Sequence, residues 1–383
     1  MSVLKKFLDM RQDLTAVLIE RESSIDLALI ALVTGEHYLQ LGPPGVAKSM
    51  LVDELCRRIT GAKHFSLLLN QSTTPDELFG PVDLLAMADE GRWTRRRGGS
   101  ITEAHIAFLD EIGRGNSVVR NALLKIILER KLEEIGMEPC TVPLISLFAA
   151  SNTSMAEDDD LSAFCDRFML TDIVQDIADD AAFVAMLTAK PYVQSAFVTL
   201  EDIEDAHHEV CAVRGSQEVL DKIVELRQTC SDAGIVISPR RWKKALSITK
   251  ARAWLDGEDI VTPEHLCILT AVLWRDPKER KTVERLVYAA ACPIYLTALE
   301  AEDHIADLVK ALESTAESLY DETVENTLMQ ISDIHRDLKA KIGKSRVKHL
   351  DRATKSLTNI ETLHAKISRN VLKRLQRMSL SAK

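Results

Sequence analysis

Apolar residues recur at helical spacing through the first 35 positions. Leu14, Val17 and Leu18, then Ile25, Leu29 and Leu32, fall on single helix faces, and Gly35 ends the second helix. From His37 the pattern changes. A short apolar run to Leu41 predicts a strand, which passes straight into a Gly/Pro turn and then helical spacing over 49–60. Three further apolar runs, 64–69, 105–109 and 144–150, predict strands, with a helix over 116–130. Strands alternating with helices predict an α/β fold, a parallel sheet in a three-layer αβα sandwich. Beyond about residue 190 the strand signals fade. Segments 200–232, 238–256, 262–275 and 278–301 predict helices, with Pro239 and Pro263 near helix starts. After 303 a rhythm of three to four residues (Leu308, Leu312, Leu319, Leu328, Ile331, Ile334, Leu338) predicts two or three long helices. Three domains are therefore expected: 1–190, 191–302 and 303–383.

Composition adds bounds rather than detail. The 383 residues are 46% hydrophobic, 28% charged and 5% aromatic, enough to bury cores in two or three globular domains. No apolar run approaches the roughly 20 residues that span a bilayer. The start, Met1 to Lys6, lacks the apolar stretch of a signal peptide, so the expected location is the cytoplasm. Seven scattered cysteines (56, 140, 165, 211, 230, 267 and 292) form no C-x-x-C pair and are expected as reduced, mostly buried thiols. The net charge of −10 conceals a basic end: residues 331–383 hold 14 Lys and Arg against 4 Asp and Glu. That end is either a solvated helical bundle or a contact for an acidic partner or nucleic acid.

The chemistry lies in the first domain. Gly42, Pro43, Pro44, Gly45, Val46, Ala47, Lys48 and Ser49 nearly match the phosphate loop G-x-x-x-x-G-K-[ST]. Backbone N–H groups of such a loop cradle phosphate oxygens, Lys48 would reach the β- and γ-phosphates, and the Ser49 hydroxyl would ligate Mg²⁺. Ala47 replaces the last glycine, and a methyl group on a helical backbone is expected to leave function intact. Ile106 to Leu109 then deliver Asp110 and Glu111 to a strand end, Asp110 as a magnesium ligand and Glu111 to polarise the attacking water. Asn152 ends the run from Leu147 and is placed to touch the γ-phosphate or orient the water. Arg167, following the acidic loop 157–160, is a candidate finger for a neighbour's nucleotide, or else a local surface pair with Asp166. Arg240 opens a helix at Ser238-Pro239 and is a candidate to bend back to the γ-phosphate, with Arg241 as the fallback.

Together these residues resemble the MoxR family of AAA+ ATPases, most of all its RavA branch, over about residues 10–300. The carriers are Gly42–Ser49, Ser72–Pro81, Phe108–Glu111, Ala149–Asn152, Asp166–Phe168 and Arg240–Lys244. The resemblance implies a P-loop AAA+ nucleotide-binding domain, an all-α lid domain and a C-terminal helical bundle. It assigns Asp110 and Glu111 to Walker B, Asn152 to sensor 1, Arg167 to the finger and Arg240 to sensor 2. Arg114 matches a family arginine just past Walker B. Residues 77–97 and 130–143 fit two insertions that face the ring pore in the family. ATP and Mg²⁺ are the implied cofactors. The implied partners are other copies in a hexameric ring, a von Willebrand factor A domain protein and a protein client. RavA-type proteins interrupt their bundle with a small β-rich domain, whereas the helical pattern here runs on without it.

Two other functions fit parts of the sequence. Magnesium-chelatase motor subunits share the motif set. A nucleic-acid-associated ATPase would use the basic end, against which residues 331–383 contain no Phe, Tyr or Trp for stacking.

Overall fold

A computed structural model of the chain describes residues 1–134, 136–152, 164–189, 192–313, 320–344, 353–365 and 367–368. The acidic loop 157–160 lies outside them, as do 345–352, 366 and 369–383 of the basic end.

Five strands form the central sheet: β1 (Tyr38–Leu41), β2 (His64–Leu68), β3 (Ile106–Asp110), β4 (Ser146–Ser151) and β5 (Leu170–Ile173). Their order is β2-β3-β4-β1-β5, and every pairing is parallel. Parallel strands bury both faces, which is why β1, β3 and β4 are mostly apolar, with Gln40 the buried polar residue within β1. The register aligns their ends, with Leu41 opposite Ser151 and Ile173, and Leu68 opposite Asp110. The segments after β1, β3 and β4 therefore emerge together at one edge, where ligands bind in open α/β sheets.

The helices are α1 (Val3–Val17), α2 (Glu22–Thr34), α3 (Lys48–Cys56), α4 (Pro75–Phe79), α5 (Leu84–Glu90), α6 (Ser117–Glu129), α7 (Asp180–Leu187), α8 (Leu200–Ala212), α9 (Gln217–Asp232), α10 (Pro239–Leu255), α11 (Arg280–Ala291), α12 (Pro293–Glu313) and α13 (Tyr320–Lys344). None of the described helices is long and apolar enough to cross a membrane. α2 is apolar on nearly every side and is buried from Ser24 to Thr34, and Gly35 closes it in the left-handed conformation at φ 68°. α10 begins with Ser238 as N-cap, its side chain accepting from Arg241 N–H, and with Pro239 in the first turn.

Several expected boundaries move. The helix expected over 49–60 stops at Cys56 because Arg58 is fully buried, ion-paired to Glu54 at 2.6 Å and Asp13 at 3.3 Å. Ile59–Thr60 instead pair in parallel with Val198–Thr199. The helical stretch 200–232 breaks between α8 and α9, where Arg214–Gly215 pair with Ile260–Val261. Pro263–Ala271 is a 3₁₀ helix. All seven cysteines are free; Cys140, Cys165, Cys230 and Cys292 are buried and Cys211 is exposed.

The chain divides into two compact units, residues 1–220 with 230–280, and residues 221–229 with 281–383. Within the first, α8 and α10 pack on α1 and α2. A line of charges joins these helices: Arg11 grips Asp26 through two bonds of 2.5 and 2.7 Å, Arg252 reaches the same carboxylate at 2.6 Å, and Arg252 also holds Asp256. In the second unit α12, α13 and the helix over 353–365 enclose Ile305, Val324, Ile331, Leu338, Ala353 and Ile360.

The two segments read as insertions are joined to each other. Lys131–Leu132 pair with Cys140–Thr141 as a short antiparallel ladder. The Arg95 side chain is nearly buried and binds both Glu134 oxygens, at 2.6 and 2.7 Å, and Asp76 at 2.5 Å. Leu84, Leu85, Met87 and Trp93 of the first segment remain exposed.

Candidate phosphate site

The loop between β1 and α3 is shaped by close backbone approach. A Cβ on Gly42 would lie 2.2 Å from the Val174 carbonyl oxygen, so β5 can run against the loop only if this residue is glycine. Gly42 N–H donates to Ser151 O at 3.1 Å, which ties the loop to the end of β4. Gly45 takes φ 89°. Ala47 does not hold the helical conformation expected of it. It is left-handed, at φ 66° and ψ 27°, and caps the start of α3. A Cβ in that region costs about 1 kcal/mol or more, and such residues persist where the surroundings fix them. Glu111 is a second case at φ 53°, and Glu20 a third at φ 56°.

Lys48 is buried at the start of α3. Its Nζ donates to the Gly42 and Pro43 carbonyls, the latter at 2.9 Å, and to Asn152 Oδ1 at 2.5 Å. The Asn152 amide in turn donates to Glu111 Oε1, and Arg114 Nε stands 3.4 Å from Glu111 Oε2. An ammonium can only donate and a carboxylate only accept, so the two neighbours fix which way the amide points. Burial lowers the Lys48 pKa, while Asp110 and Glu111 oppose that shift, so the ammonium sits among carboxylates. Asp110 Oδ1 accepts the Glu111 N–H at 2.9 Å. Ser49 follows Lys48 in the first turn of α3 and is exposed. Pro43 and Pro44 are exposed and Val46 is buried, anchoring the loop from below.

These residues suit a magnesium nucleotide. Gly42 lets the chain after β5 pass close against the loop. One buried cation faces it, and an alcohol and a carboxylate stand at the mouths of α3 and β3. Magnesium is usually held by one or two such groups together with phosphate oxygens.

The candidate arginines form a second group. Asp166 is buried, and its Oδ1 accepts from Arg241 Nε at 3.0 Å and Ser238 Oγ at 3.3 Å. Arg241 is fully enclosed and also donates to the carbonyls of Val272 and Phe168. With its donors directed at protein, Arg241 does not serve as the fallback for Arg240. Arg167 Nη1 lies 3.8 Å from Asp166 Oδ2. Burial first, and then the neighbouring Arg240 guanidinium, hold Arg167 below the ordinary arginine pKa. Arg167 Nε and Arg240 Nη1 are each enclosed yet reach no acceptor among the described residues. Arg240 thus stands beside Arg167.

Arg21 escaped the sequence reading. It is buried and donates to Val46 O at 3.3 Å, Glu20 O at 2.8 Å and Gln175 O at 2.7 Å, pinning the phosphate loop to the segment after β5. Its one sequence signal is its place just before α2, three polar residues ahead of the apolar run that begins at Ile25.

A family profile described as the MoxR domain in the MoxR-vWA-beta-propeller ternary systems matches residues 5–207, and one for the AAA lid domain matches 218–287. An uncharacterized protein of Methanocaldococcus jannaschii is 36% identical over 70% of this chain and 71% of its own length. A second uncharacterized protein of that organism is 34% identical over 75% and 74%. The crystal structure of a candidate ATPase from Cytophaga hutchinsonii superposes with a TM-score of 0.60 at 19% identity, covering 74% of this chain and 94% of that one, a likeness of fold.

Proposed function

Because this chain belongs to the MoxR family of AAA+ ATPases, we propose that it is a magnesium-dependent ATP hydrolase that works in the cytoplasm as a hexameric ring and remodels or matures a protein client. A partner with a von Willebrand factor A domain is part of this reading. The matching profile is named after systems that combine such a domain with a MoxR domain and a beta-propeller.

The observation that carries the reading is the line Lys48–Asn152–Glu111, in which residues from three separate sheet-edge segments meet by direct hydrogen bonds. Lys48 would offset charge on the β- and γ-phosphates. Ser49 and Asp110 would hold magnesium, whose role when bound is to draw the phosphate oxygens together and screen them. Glu111 takes the proton of the attacking water. Asn152 holds one of its oxygens and Arg114 lies near the other, which fixes the carboxylate but leaves lone pairs for that water. Arg167 would stabilise transition-state charge on the neighbouring subunit's nucleotide, and Arg240, beside it, is the candidate to reach a γ-phosphate.

Glu111→Gln tests the reading. The variant keeps the shape and loses the base, so ATP should bind as before while turnover falls about 100-fold or more. Nucleotide affinity by titration and phosphate release by a coupled assay separate the two. Turnover near that of the unaltered protein would take the base role from Glu111.

A further inference from the structure

Asp166 and Arg167 are adjacent in the chain yet engage different parts of the molecule. Asp166 Oδ1 binds Ser238 and Arg241, the N-cap and third residue of α10. Arg241 continues that bond into the backbone at Phe168, on the other side of Arg167. The first turn of the lid helix is thereby fastened to the short segment that carries Arg167. Asp166 Oδ2 faces Arg167 itself at 3.8 Å. Beside this pair stand Arg167 and Arg240, two guanidinium groups near enough to repel. Each keeps an enclosed nitrogen that finds no acceptor among the described residues.

A buried ion pair is often replaceable by apolar residues of similar volume without loss of stability, so fastening a helix does not by itself call for charge. The charge has another use here. Three arginines crowd one place, and among the described residues Asp166 is a carboxylate that offsets Arg167. Without it, repulsion would turn Arg167 away from its line of reach.

We propose that Asp166 is a positioning residue for hydrolysis in the neighbouring subunit: its two oxygens hold the lid helix and the Arg167 finger as one piece, so the lid of each subunit sets the finger seen by the next. The inference rests on the reading of Arg167 as a finger acting between subunits.

The test uses the full chain. Asp166→Asn keeps an oxygen for Arg241 and removes the charge facing Arg167. ATP affinity should stay within about threefold while kcat falls about 100-fold, the loss that a misplacement near 1 Å produces. The decisive measurement mixes Asp166→Asn protein with Glu111→Gln protein. An Asp166→Asn subunit keeps its own Glu111 and would receive a well-held Arg167 from a Glu111→Gln neighbour, so activity should return. A parallel mixture of Arg167→Ala with Glu111→Gln separates the ideas. If that mixture recovers and the Asp166→Asn mixture does not, the defect lies in the variant's own site or fold and the inference is overturned, while the finger stands. If neither recovers although the proteins co-assemble, the finger reading fails and takes the inference with it. Unchanged kcat in Asp166→Asn also overturns it. Should that variant not fold, Ser238→Ala removes one of the two α10 donors. The same mixture should then restore a fall of about tenfold, and an absence of any fall counts against the coupling.

Discussion

A Lys48→Ala chain should bind ATP at least about 100-fold more weakly than the unaltered protein. Hydrogen bonds to charged groups are worth about 1.5–3 kcal/mol each, and two lost bonds to phosphate oxygens reach that factor. Three other arginines are committed elsewhere. Arg114 is drawn to Glu111, Arg21 is directed at three carbonyls, and Arg241 is closed in by protein. The fold should survive the change. The Pro43 carbonyl released by Lys48 belongs to an exposed residue and can turn to water, and the Gly42–Ser151 bond does not involve the side chain. Titration with a fluorescent ATP analogue reads the affinity, and circular dichroism checks the fold. Affinity within threefold of the unaltered protein in a folded variant would remove the phosphate-loop assignment.

Arg167→Ala should leave ATP affinity close to its original value and lower kcat by about 10³-fold. Binding is spared because Arg167 makes no bond to the loop, and its charged neighbours are Asp166 and Arg240. The loss falls on turnover because a guanidinium aimed at developing charge acts only in the transition state. If the finger serves a neighbour, the specific activity of the unaltered protein should also climb with its concentration. Ring closure provides each site with one finger and leaves no free end. Dilute monomers hydrolysing at the full rate would place the needed cation within the same subunit.

Much of the candidate phosphate site's arrangement was legible in the sequence, for a physical reason. Buried parallel strands are mostly apolar, so a change to Gly or to charged and polar residues after such a run marks the sheet edge. That logic found Gly42 after β1, Asp110 and Glu111 at β3, and Asn152 after β4. It missed β5, Leu170–Ile173, an edge strand with Thr171 and Asp172 inside it. Asp172 is tolerated there because Ser24 Oγ donates to it at 2.6 Å and Tyr38 OH at 3.2 Å, partners from α2 and β1 that local pattern does not reveal. Arg58, Arg21 and Arg241 were hidden for the same reason. Sequence reading treats an arginine as a surface residue, whereas each of these is buried against acceptors distant in the chain. Arg240 and Arg241 show the limit most sharply. Adjacent and chemically alike, they differ in which side of α10 meets Asp166, and the rotation of about 100° between consecutive helix residues decides which is closed in and which has a nitrogen unmatched among the described residues.

The line from Arg11 through Asp26 and Arg252 to Asp256 has a consequence for how the first unit opens. Its Asp26–Arg252 bond joins residues 226 apart in sequence. Local fraying of α10 would strand Asp26 against Arg11 and leave Arg252 to Asp256 alone, a penalty carried by α2 as well as by α10. The helices before the sheet and the helix of the lid therefore belong to one cooperative folding unit. Amide hydrogens in the middle of α2 and α10 should exchange with solvent through a shared opening of the same free energy. Those of the short ladder at 131–141, held at its far side by the Arg95 ion pairs, should exchange through smaller openings of their own.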